Sequence, residues 1–404
     1  MLWMIAWRNV WRNKRRSAII LCAIAFGLWA GLLTMGISLG WAEQMVNSAL
    51  ATRISHFQIH REGFLAHKEI GLTIPDGDKT LDELRRMPGV KAAVGRSLVA
   101  GMASSAATGT GVEIYGVEPE AEKEVTDLYA QIKDGTYFES RKKNPIVIGE
   151  KLAERLEVQV GKKIVLTAQA ADGSIGAGAF RVVGIFKTVS SMFDQSTVFA
   201  RRDDLDRIFG LSGEIHEIAA LVNDIEDLDN LLSNFQATFA NLALDSWKDL
   251  ALELAMTTEM TDQMLYIFLI IILLALVFGI TNTMLMGVLE RVRELGVIMA
   301  LGMKGHRIFA MILMETIFLS VIGGILGIIL GAVTIEILSH TGIDLSLFAE
   351  GLAAFGTSDI LYPVLPFIEY PRVVALVIAT ALISAVYPGI KAVKLNPVQA
   401  IRTY

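Results

Sequence analysis

The sequence has little cysteine and lacks the patterns of several common functional classes. Its single cysteine, Cys22, lies within an apolar run, so an internal disulfide is excluded. The histidines include no HExxH pair, and His56 and His60 have no third partner nearby in the sequence, so we expect no metal site. No GxxxxGK[ST] run is present, so we expect no nucleotide cofactor to be bound by a phosphate loop of this chain.

Apolar residues are abundant and unevenly distributed. The 404 residues are 53% hydrophobic and 19% charged, with apolar runs near the start and in the last third. A helix needs about 20 mostly apolar residues to cross a hydrocarbon core of about 30 Å, and four segments meet that length: 17–41, 264–289, 308–337 and 373–390. The first run exceeds the apolar core of a signal peptide, which favours a retained anchor. The sequence predicts a membrane protein with four transmembrane helices and an α+β extracytoplasmic domain on a helical stalk.

Basic residues near the ends of these runs predict the orientation, because positive charge resists translocation. They precede the first span, separate the second from the third and follow the fourth: Arg8, Arg12, Lys14, Arg15, Arg16; Arg291, Arg293, Lys304, Arg307; Lys391, Lys394 and Arg402. We therefore expect both termini to be cytoplasmic in a bacterial inner membrane. The predicted boundaries are 1–16 for an in-plane helix, 42–263 for the external domain, 290–307 for a cytoplasmic loop, 338–372 for an external loop and 391–404 for a cytoplasmic tail.

The first sixteen residues place aromatic and basic side chains at helical spacing. Trp3, Trp7 and Trp11 share one side, whereas Arg12 and Arg15 lie on another. This pattern is typical of an amphipathic helix in the membrane interface, with indoles at headgroup level and arginines toward anionic lipid. The alternative is a simple cytoplasmic extension of the first span.

The predicted external domain alternates short strands with helices. It contains 34 Asp and Glu against 23 Lys and Arg in residues 42–262, and it has no strongly basic stretch, so we expect no nucleic-acid partner. Residues 54–60 alternate like a strand, and residues 163–168 and 180–187 indicate a hairpin about a glycine-rich turn at 172–178. Two lobes are expected, with the boundary between them left open.

The loop between the second and third spans carries charges of both signs followed by an amphipathic stretch. A helix there would turn apolar side chains toward the protein and leave charged ones for a partner. The alternative is a basic turn that only sets topology. The candidate coupling residues are Glu290, Arg291, Arg293, Glu294, Leu295, Gly296, Ala300, Leu301 and Gly302.

The third span contains a small-residue stripe and an acidic residue. Gly323, Gly327 and Gly331 recur every four residues and would let another backbone approach, either a neighbouring span or a second copy. Glu315 lies inside the span, where a charged carboxylate is costly and usually paired. It is a candidate functional residue; the alternatives are snorkelling or pairing with Arg307.

Several segments resemble one family. Residues 290–302 are similar to the "ERRREIG…ALG" segment of FtsX-like permeases, residues 388–402 to the family's closing "PA…A…DPV.ALR" pattern, and residues 7–16 to its "RN…RNKRR" opening. Residues 147–153 and 180–186 add matches inside the external domain. The chain thus resembles the FtsX/MacB-like ABC transporter permease superfamily, with the external domain corresponding to a MacB-like periplasmic domain.

The resemblance implies a permease dimer, of one or two kinds of subunit, bound to a dimer of cytoplasmic ABC ATPases. ATP and magnesium would be bound by the ATPase, and this chain would have no catalytic residue. The loop helix at 290–302 would lie in a groove of the ATPase and transmit its movement to the external domain.

Two groups within the superfamily compete. Lipoprotein-releasing permeases are similar in length, four-span plan and residues 344–363, whereas MacB-type pumps, which expel drugs or peptides, usually carry a fused N-terminal ATPase. This favours a lipoprotein or other lipidic substrate. The turn at 170–178 is short and lacks the proline of the hook that docks a periplasmic carrier, so carrier docking stays open. FtsX-like signalling to cell-wall hydrolases is a further alternative, in which the external domain is much smaller.

Overall fold

The computed structural model describes residues 2–139, 142–354 and 357–395. Contacts divide the chain into two units. The transmembrane unit comprises residues 1–42, 258–344 and 360–404, and the external unit comprises residues 43–257 and 345–359. The end of the predicted cytoplasmic tail, including Arg402 and most of the closing family motif, lies outside the described residues.

Helices and strands alternate along most of the described chain. The α-helices are α1 (Leu2–Arg12), α2 (Lys14–Ala49), α3 (Phe64–His67), α4 (Gly77–Arg86), α5 (Pro119–Glu122), α6 (Glu150–Leu156), α7 (Ser191–Ser196), α8 (Arg202–Phe209), α9 (Leu228–Thr238), α10 (Trp247–Leu250), α11 (Leu252–Glu290), α12 (Val292–Ala300), α13 (Gly305–Thr341), α14 (Ala349–Ala354) and α15 (Glu369–Val393). The strands are β1 (Phe57–Arg61), β2 (Val90–Ser104), β3 (Gly109–Val117), β4 (Ile132–Gly135), β5 (Pro145–Gly149), β6 (Lys163–Gln169), β7 (Ile175–Phe186), β8 (Thr197–Arg201), β9 (Glu217–Val222), β10 (Leu242–Ser246), β11 (Ile343–Asp344) and β12 (Ile360–Leu361).

Four helices of the described chain are long and apolar enough to cross a membrane. They are Lys14–Ile54, in which α2 continues into a π-helical turn, Leu254–Glu290, Gly305–Thr341 and Glu369–Val393. Each contains one of the four segments predicted from the sequence, so the expectation of four transmembrane helices is confirmed. Buried side chains such as Ile24, Met284 and Leu319 form the core of the transmembrane unit.

The external unit contains a mixed sheet in the order β10-β1-β9-β2-β3-β8-β5-β7-β4, with β6 paired to β2 and β7. Strand β2 belongs to both halves, because Val90–Arg96 pairs with β9 whereas Ser97–Ser104 pairs with β3. We call β10, β1, β9 and the first half of β2 the first lobe, and the remaining strands the second lobe. Each lobe has its own buried apolar cluster. The predicted two-lobed plan is present, and β2 joins the lobes.

Two local predictions in the external unit were wrong. Residues 50–54 form a π-helical turn at the end of α2, so strand β1 starts only at Phe57. The hairpin turn is confined to residues 170–174, since Ile175 already pairs with Gln169. Gly176 and Gly178 were taken for turn residues, but they lie in β7, where a Cβ atom would meet Phe209 and Ile208 of α8. These glycines therefore allow close packing and do not form a turn.

Candidate functional site

A buried cluster of three charged side chains joins α2, α13 and the connection between α11 and α12. Arg16 Nη2 and Arg291 Nη2 both donate to Oε1 of Glu315, at 2.9 and 2.7 Å. The Glu315 side chain is only 1% exposed, and both arginines are largely buried. Because an unpaired ion is costly at such a place, the three residues are stable only as a set.

A glycine in α11 leaves the space that this cluster needs. A Cβ atom on Gly287 of α11 would overlap the guanidinium of Arg16. The carbonyl oxygen of Gly287 also accepts a hydrogen bond from Arg291 Nε at 3.2 Å. Gly287 thus lets an arginine at the start of α2 reach a carboxylate in α13.

The sequence alternatives for Glu315 require correction. Snorkelling and pairing with Arg307 were both considered, but the structure shows that Glu315 is buried and pairs with Arg16 and Arg291. The geometric reason is that Arg307, at the first turn of α13, precedes Glu315 by eight positions on the same helix, whereas the other two arginines approach from neighbouring segments.

Helix α12 covers most of the predicted coupling segment. Leu295 and Gly296 are buried against the transmembrane unit, whereas Glu290, Arg293 and Glu294 are exposed. Further along, Ala300 is exposed and Leu301 is 83% exposed, and Gly302 ends the segment with φ +95°. The segment therefore presents charged side chains at its start and an exposed apolar side chain at its end.

Helix α1 packs beside this segment. Its buried Ala6 and Val10 contribute to the transmembrane core, and Trp3 and Trp7 make edge-to-face contacts with Phe318 of α13 at ring distances of 4.5 and 5.4 Å. Trp11 and Arg15 are exposed. This arrangement agrees with an amphipathic helix; its depth in a membrane stays a prediction.

An ion pair connects α1 to α12. Arg12 Nη2 lies 2.5 Å from Glu294 Oε2, and both side chains are about half exposed. A cavity of about 230 Å³ next to this pair is lined by Asn9, Arg12, Asn13, Arg16, Glu290 and Arg291. The coupling segment is therefore attached to α1 by one ion pair and to the core by the Glu315 cluster.

The glycine stripe of α13 lies against α2 of the same chain. A Cβ atom on Gly327 would be 2.8 Å from the carbonyl oxygen of Ala25, and one on Gly331 would be 2.7 Å from Leu32 Cδ1. Gly323 faces Ile24 in the same way. Of the two partners that the sequence left open, a neighbouring span occupies this face.

A cleft of about 450 Å³ opens between α2, α11 and α15. Most of its lining is apolar, and Gly31, Ile272 and Ala375 lie on its three walls. Glu369 and Arg372, which form an ion pair with each other, provide its charged groups. The cleft could hold an apolar chain with a polar end near the pair.

Sequence reasoning missed the arginines of the Glu315 cluster as partners, although both were counted as topology signals. A carboxylate inside an apolar run signals that a cation must lie nearby, but not which one. Arg16 and Glu315 are 299 positions apart, so only packing brings them together. Within the residues that the structure describes, no three His, Cys, Asp or Glu side chains lie close enough to hold a metal ion.

Two family models match this chain. The model described as "MacB-like periplasmic core domain" matches residues 17–238, more than half of the chain. The model described as "FtsX-like permease C-terminal" matches residues 266–397, which include the coupling segment and two members of the buried cluster, Arg291 and Glu315. The chain belongs to the MacB/FtsX family of ABC transporter permeases. The resemblance inferred from the sequence motifs is thereby confirmed at the level of the family.

Individual relatives support the assignment of this chain to the family. The ABC transporter permease MJ1507 of Methanocaldococcus jannaschii is 29% identical over 304 residues, which cover 72% of this chain and 70% of that protein. The pyoverdine export ATP-binding/permease protein PvdT of Pseudomonas entomophila is 25% identical, with 98% of this chain aligned to 58% of PvdT. The permease therefore spans little more than half the length of PvdT. A special closeness to lipoprotein-releasing permeases stays a prediction.

Solved structures similar to the permease include external domains. The extracellular domain of the ABC-type transporter YknZ from Gram-positive bacteria aligns with 46% of this chain and 98% of that domain, at 17% identity and a TM-score of 0.33. The periplasmic region of MacB from Actinobacillus actinomycetemcomitans aligns with 50% of this chain and 93% of that region, at 12% identity and a TM-score of 0.35.

Proposed function

We propose that this permease couples ATP hydrolysis by a separate cytoplasmic ABC ATPase dimer to movement of its external unit, and that its substrate is a lipoprotein or another lipidic molecule. The permease would act as a homodimer or heterodimer in the bacterial inner membrane, with both termini cytoplasmic. ATP and magnesium would be bound by the ATPase.

The single observation that carries the coupling proposal is the exposed surface of the coupling segment, residues 290–302. Glu290 and Arg293 offer exposed charges that a complementary groove can pair, Glu294 stays half exposed beside Arg12, and Leu301 offers an apolar anchor. Interfaces typically combine such an apolar centre with a polar rim. Because α12 is attached to α1 and to the Glu315 cluster, a force applied to its exposed face would reach α2 and α13.

The cleft between α2, α11 and α15 supports the lipidic substrate. Its apolar walls suit acyl chains, and the Glu369–Arg372 pair suits a polar headgroup at the membrane interface. In the proposed orientation this pair lies at the extracytoplasmic end of α15. A lipidated substrate in the outer leaflet would then have access to the cleft.

Export of a small molecule or peptide is a second candidate function. The observation that favours it is the set of relatives named for export, which includes PvdT and the macrolide export ATP-binding/permease protein MacB of Marinobacter nauticus, 26% identical over 202 residues. In that case the cleft would bind an amphiphilic compound without acyl chains.

Co-purification tests the coupling proposal. The chain would be isolated from its native membrane in mild detergent, both unchanged and with Glu290→Lys and Glu294→Lys combined, and co-purifying proteins identified by mass spectrometry. A soluble ABC ATPase should accompany the unchanged chain and be lost from the double variant. Glu336→Lys, at an exposed position near the other end of α13, is the matched control and should retain the ATPase. Absence of an ATPase from every preparation would contradict the proposal.

The substrate is tested separately by filling the cleft. Ala375→Phe should reduce ATP-dependent release of a diacylated peptide from vesicles, whereas Ile383→Phe, at an exposed position of α15 outside the cleft, should not. Equal transport of the peptide with and without its acyl chains would contradict a lipidic substrate and support the export alternative.

A further inference from the structure

The cavity beside the Arg12–Glu294 ion pair is lined by more positive than negative charge. It measures about 230 Å³ and lies between α1, the start of α2 and the connection of α11 with α12. Its lining includes the guanidinium groups of Arg12, Arg16 and Arg291 and the carboxylate of Glu290. We call this space the arginine cavity. All of its lining residues belong to the transmembrane unit.

The buried wall of the arginine cavity has a surplus of positive charge. Arg16 and Arg291 share one counter-ion, because Glu315 Oε1 accepts a hydrogen bond from each of them. Two cations and one anion leave one positive charge unbalanced among side chains that are at most 14% exposed. A buried charge is stable only when it is paired, so this wall favours an anionic ligand.

The hydrogen bonds of Arg16 lead to the same conclusion. Its Nη2 donates to Glu315, but its buried Nε has no hydrogen-bond partner in the part of the chain that the structure describes. The residue as a whole is only 7% exposed. Buried guanidinium donors are normally satisfied by an acceptor. Arg16 therefore has donor capacity that Glu315 does not use.

The other carboxylates near the cavity are exposed. Glu290 belongs to the lining, but none of the ion pairs within 4 Å among the described residues includes it. Glu294 is half exposed and is already paired with Arg12. Water screens both of these charges. Neither carboxylate therefore replaces a counter-ion in contact with the buried arginines.

A phosphate group has the chemistry that this cavity would bind. Guanidinium groups donate paired N–H bonds to phosphate oxygens, and the amides of Asn9 and Asn13 in the lining can add further donors. Residues 2–16, which form one side of the cavity, contain five basic side chains and no acidic one, so they attract anions. In the predicted orientation the cavity lies at the cytoplasmic face, where both lipid headgroups and soluble phosphates are within reach.

We propose that the arginine cavity is a phosphate-binding site, which takes the headgroup of an anionic phospholipid or a soluble phosphate. A phosphate held by Arg12, Arg16 and Arg291 connects α1, α2 and the start of the coupling segment. Because Arg12 also pairs with Glu294, an occupied site would hold α1 against that segment. Any effect on coupling rests on the proposed function, whereas the binding site itself does not.

Calorimetric titration of the full-length chain tests the site. The chain, in detergent and stripped of lipid, would be titrated with inorganic phosphate and separately with short-chain phosphatidylglycerol. Sodium chloride at the same ionic strength and phosphatidylcholine with the same acyl chains are the reference titrants. Binding of both probes supports a site open to either source, and binding of one probe alone identifies the source. If neither probe binds more tightly than its reference, the proposal is overturned.

Two substitutions that each remove one positive charge distinguish this site from general attraction to basic residues. Arg12→Gln removes a guanidinium from the lining, and the chain should still fold because Arg12 is half exposed. Affinity for the bound probe should fall about tenfold. Arg15→Gln, at an exposed position outside the lining, is the matched control and should bind like the unchanged chain. Equal affinities in the two variants would overturn the site.

A third variant should act in the opposite direction. Glu290→Gln removes a carboxylate that repels a phosphate in the cavity, so affinity should rise about threefold. Unchanged or lower affinity in Glu290→Gln would contradict the site, even if Arg12→Gln fails to fold. No ATPase is present in these titrations, so a failed phosphate site and a failed coupling function give different results.

Discussion

Two arginines share one oxygen of Glu315, and neither could remain buried without it. Such clusters are often no more stable than a well-packed apolar core, but removal of one member leaves uncompensated charge. The Glu315 cluster is therefore sensitive to single substitutions. The sequence singled out Glu315, because it is a carboxylate inside an apolar run. It did not single out Arg16 and Arg291, because basic residues at span ends also serve as topology signals.

The Glu315 cluster predicts a large loss of stability in Glu315→Gln. The neutral amide leaves Arg16 and Arg291 without a counter-charge, and the free energy of unfolding should fall by about 3–5 kcal/mol. Thermal unfolding in detergent measures the loss. Glu336→Gln, exposed on the same helix, should change stability by less than about 0.5 kcal/mol. Equal unfolding temperatures for the two variants would show that the cluster contributes little.

A buried carboxyl in the second lobe predicts a pH dependence of stability. Burial raises the pKa of Asp194 to about 6, and hydrogen bonds from Thr188 only partly oppose this. Because the folded-state pKa exceeds the unfolded value, stability should decrease as pH rises from about 4 to about 6. Asp194→Asn should remove this decrease, whereas Asp134→Asn, at an exposed position, should keep it. If stability still decreases over this pH range in Asp194→Asn, another titratable group causes the decrease.

At the level of elements, local sequence patterns predicted the helices and hairpins that are determined by residues close together in the sequence. Run length and hydropathy were sufficient for the four transmembrane helices, and alternation was sufficient for the β6–β7 hairpin. They were not sufficient for the extent of the turn, because Gly176 and Gly178 serve contacts with α8 and not a change of chain direction. Glycine has several uses, and the sequence does not distinguish a turn from a close approach.

The packing of α13 on α2 predicts the effect of a larger side chain at Gly327. Valine there would meet the backbone oxygen of Ala25, which cannot move as a flexible side chain can. Gly327→Val should destabilise the chain by about 1–3 kcal/mol in thermal unfolding. Gly279→Val in α11, where a Cβ atom has open space, is the control with a small effect. A tolerated Gly327→Val would mean that the helices separate easily.

The exposed end of the coupling segment predicts a binding defect without a folding defect. Leu301→Ser removes an apolar side chain that contacts little of its own chain, so the unfolding temperature should not change. Recovery of the ATPase should fall about tenfold if Leu301 is an interface anchor. Leu347→Ser, at a leucine that is at least as exposed and lies outside the transmembrane unit, should recover the ATPase normally. Full recovery of the ATPase with Leu301→Ser would show that Leu301 is not part of the interface.

At the scale of the whole molecule, the division into a transmembrane and an external unit followed from composition alone. The order of strands did not, because β1 pairs with β9 and β10, which come from a distant part of the chain. For the same reason the sequence indicated two lobes but not the buried ion pairs of Arg96 with Glu122 and Glu217. Arg96 could have been suspected as a charge within a strand of small apolar residues, yet its partners Glu122 and Glu217 are determined by tertiary structure.

The central claim is that ATP hydrolysis on the cytoplasmic side moves the external unit. Spin labels at Ser174 in the hairpin turn and at Ser339 near the end of α13 would report this distance in the reconstituted permease–ATPase assembly. The distance distribution should change on addition of ATP and should not change when Glu290→Lys and Glu294→Lys are combined. The same distribution with and without ATP, in an assembly that hydrolyses ATP, would contradict mechanical coupling.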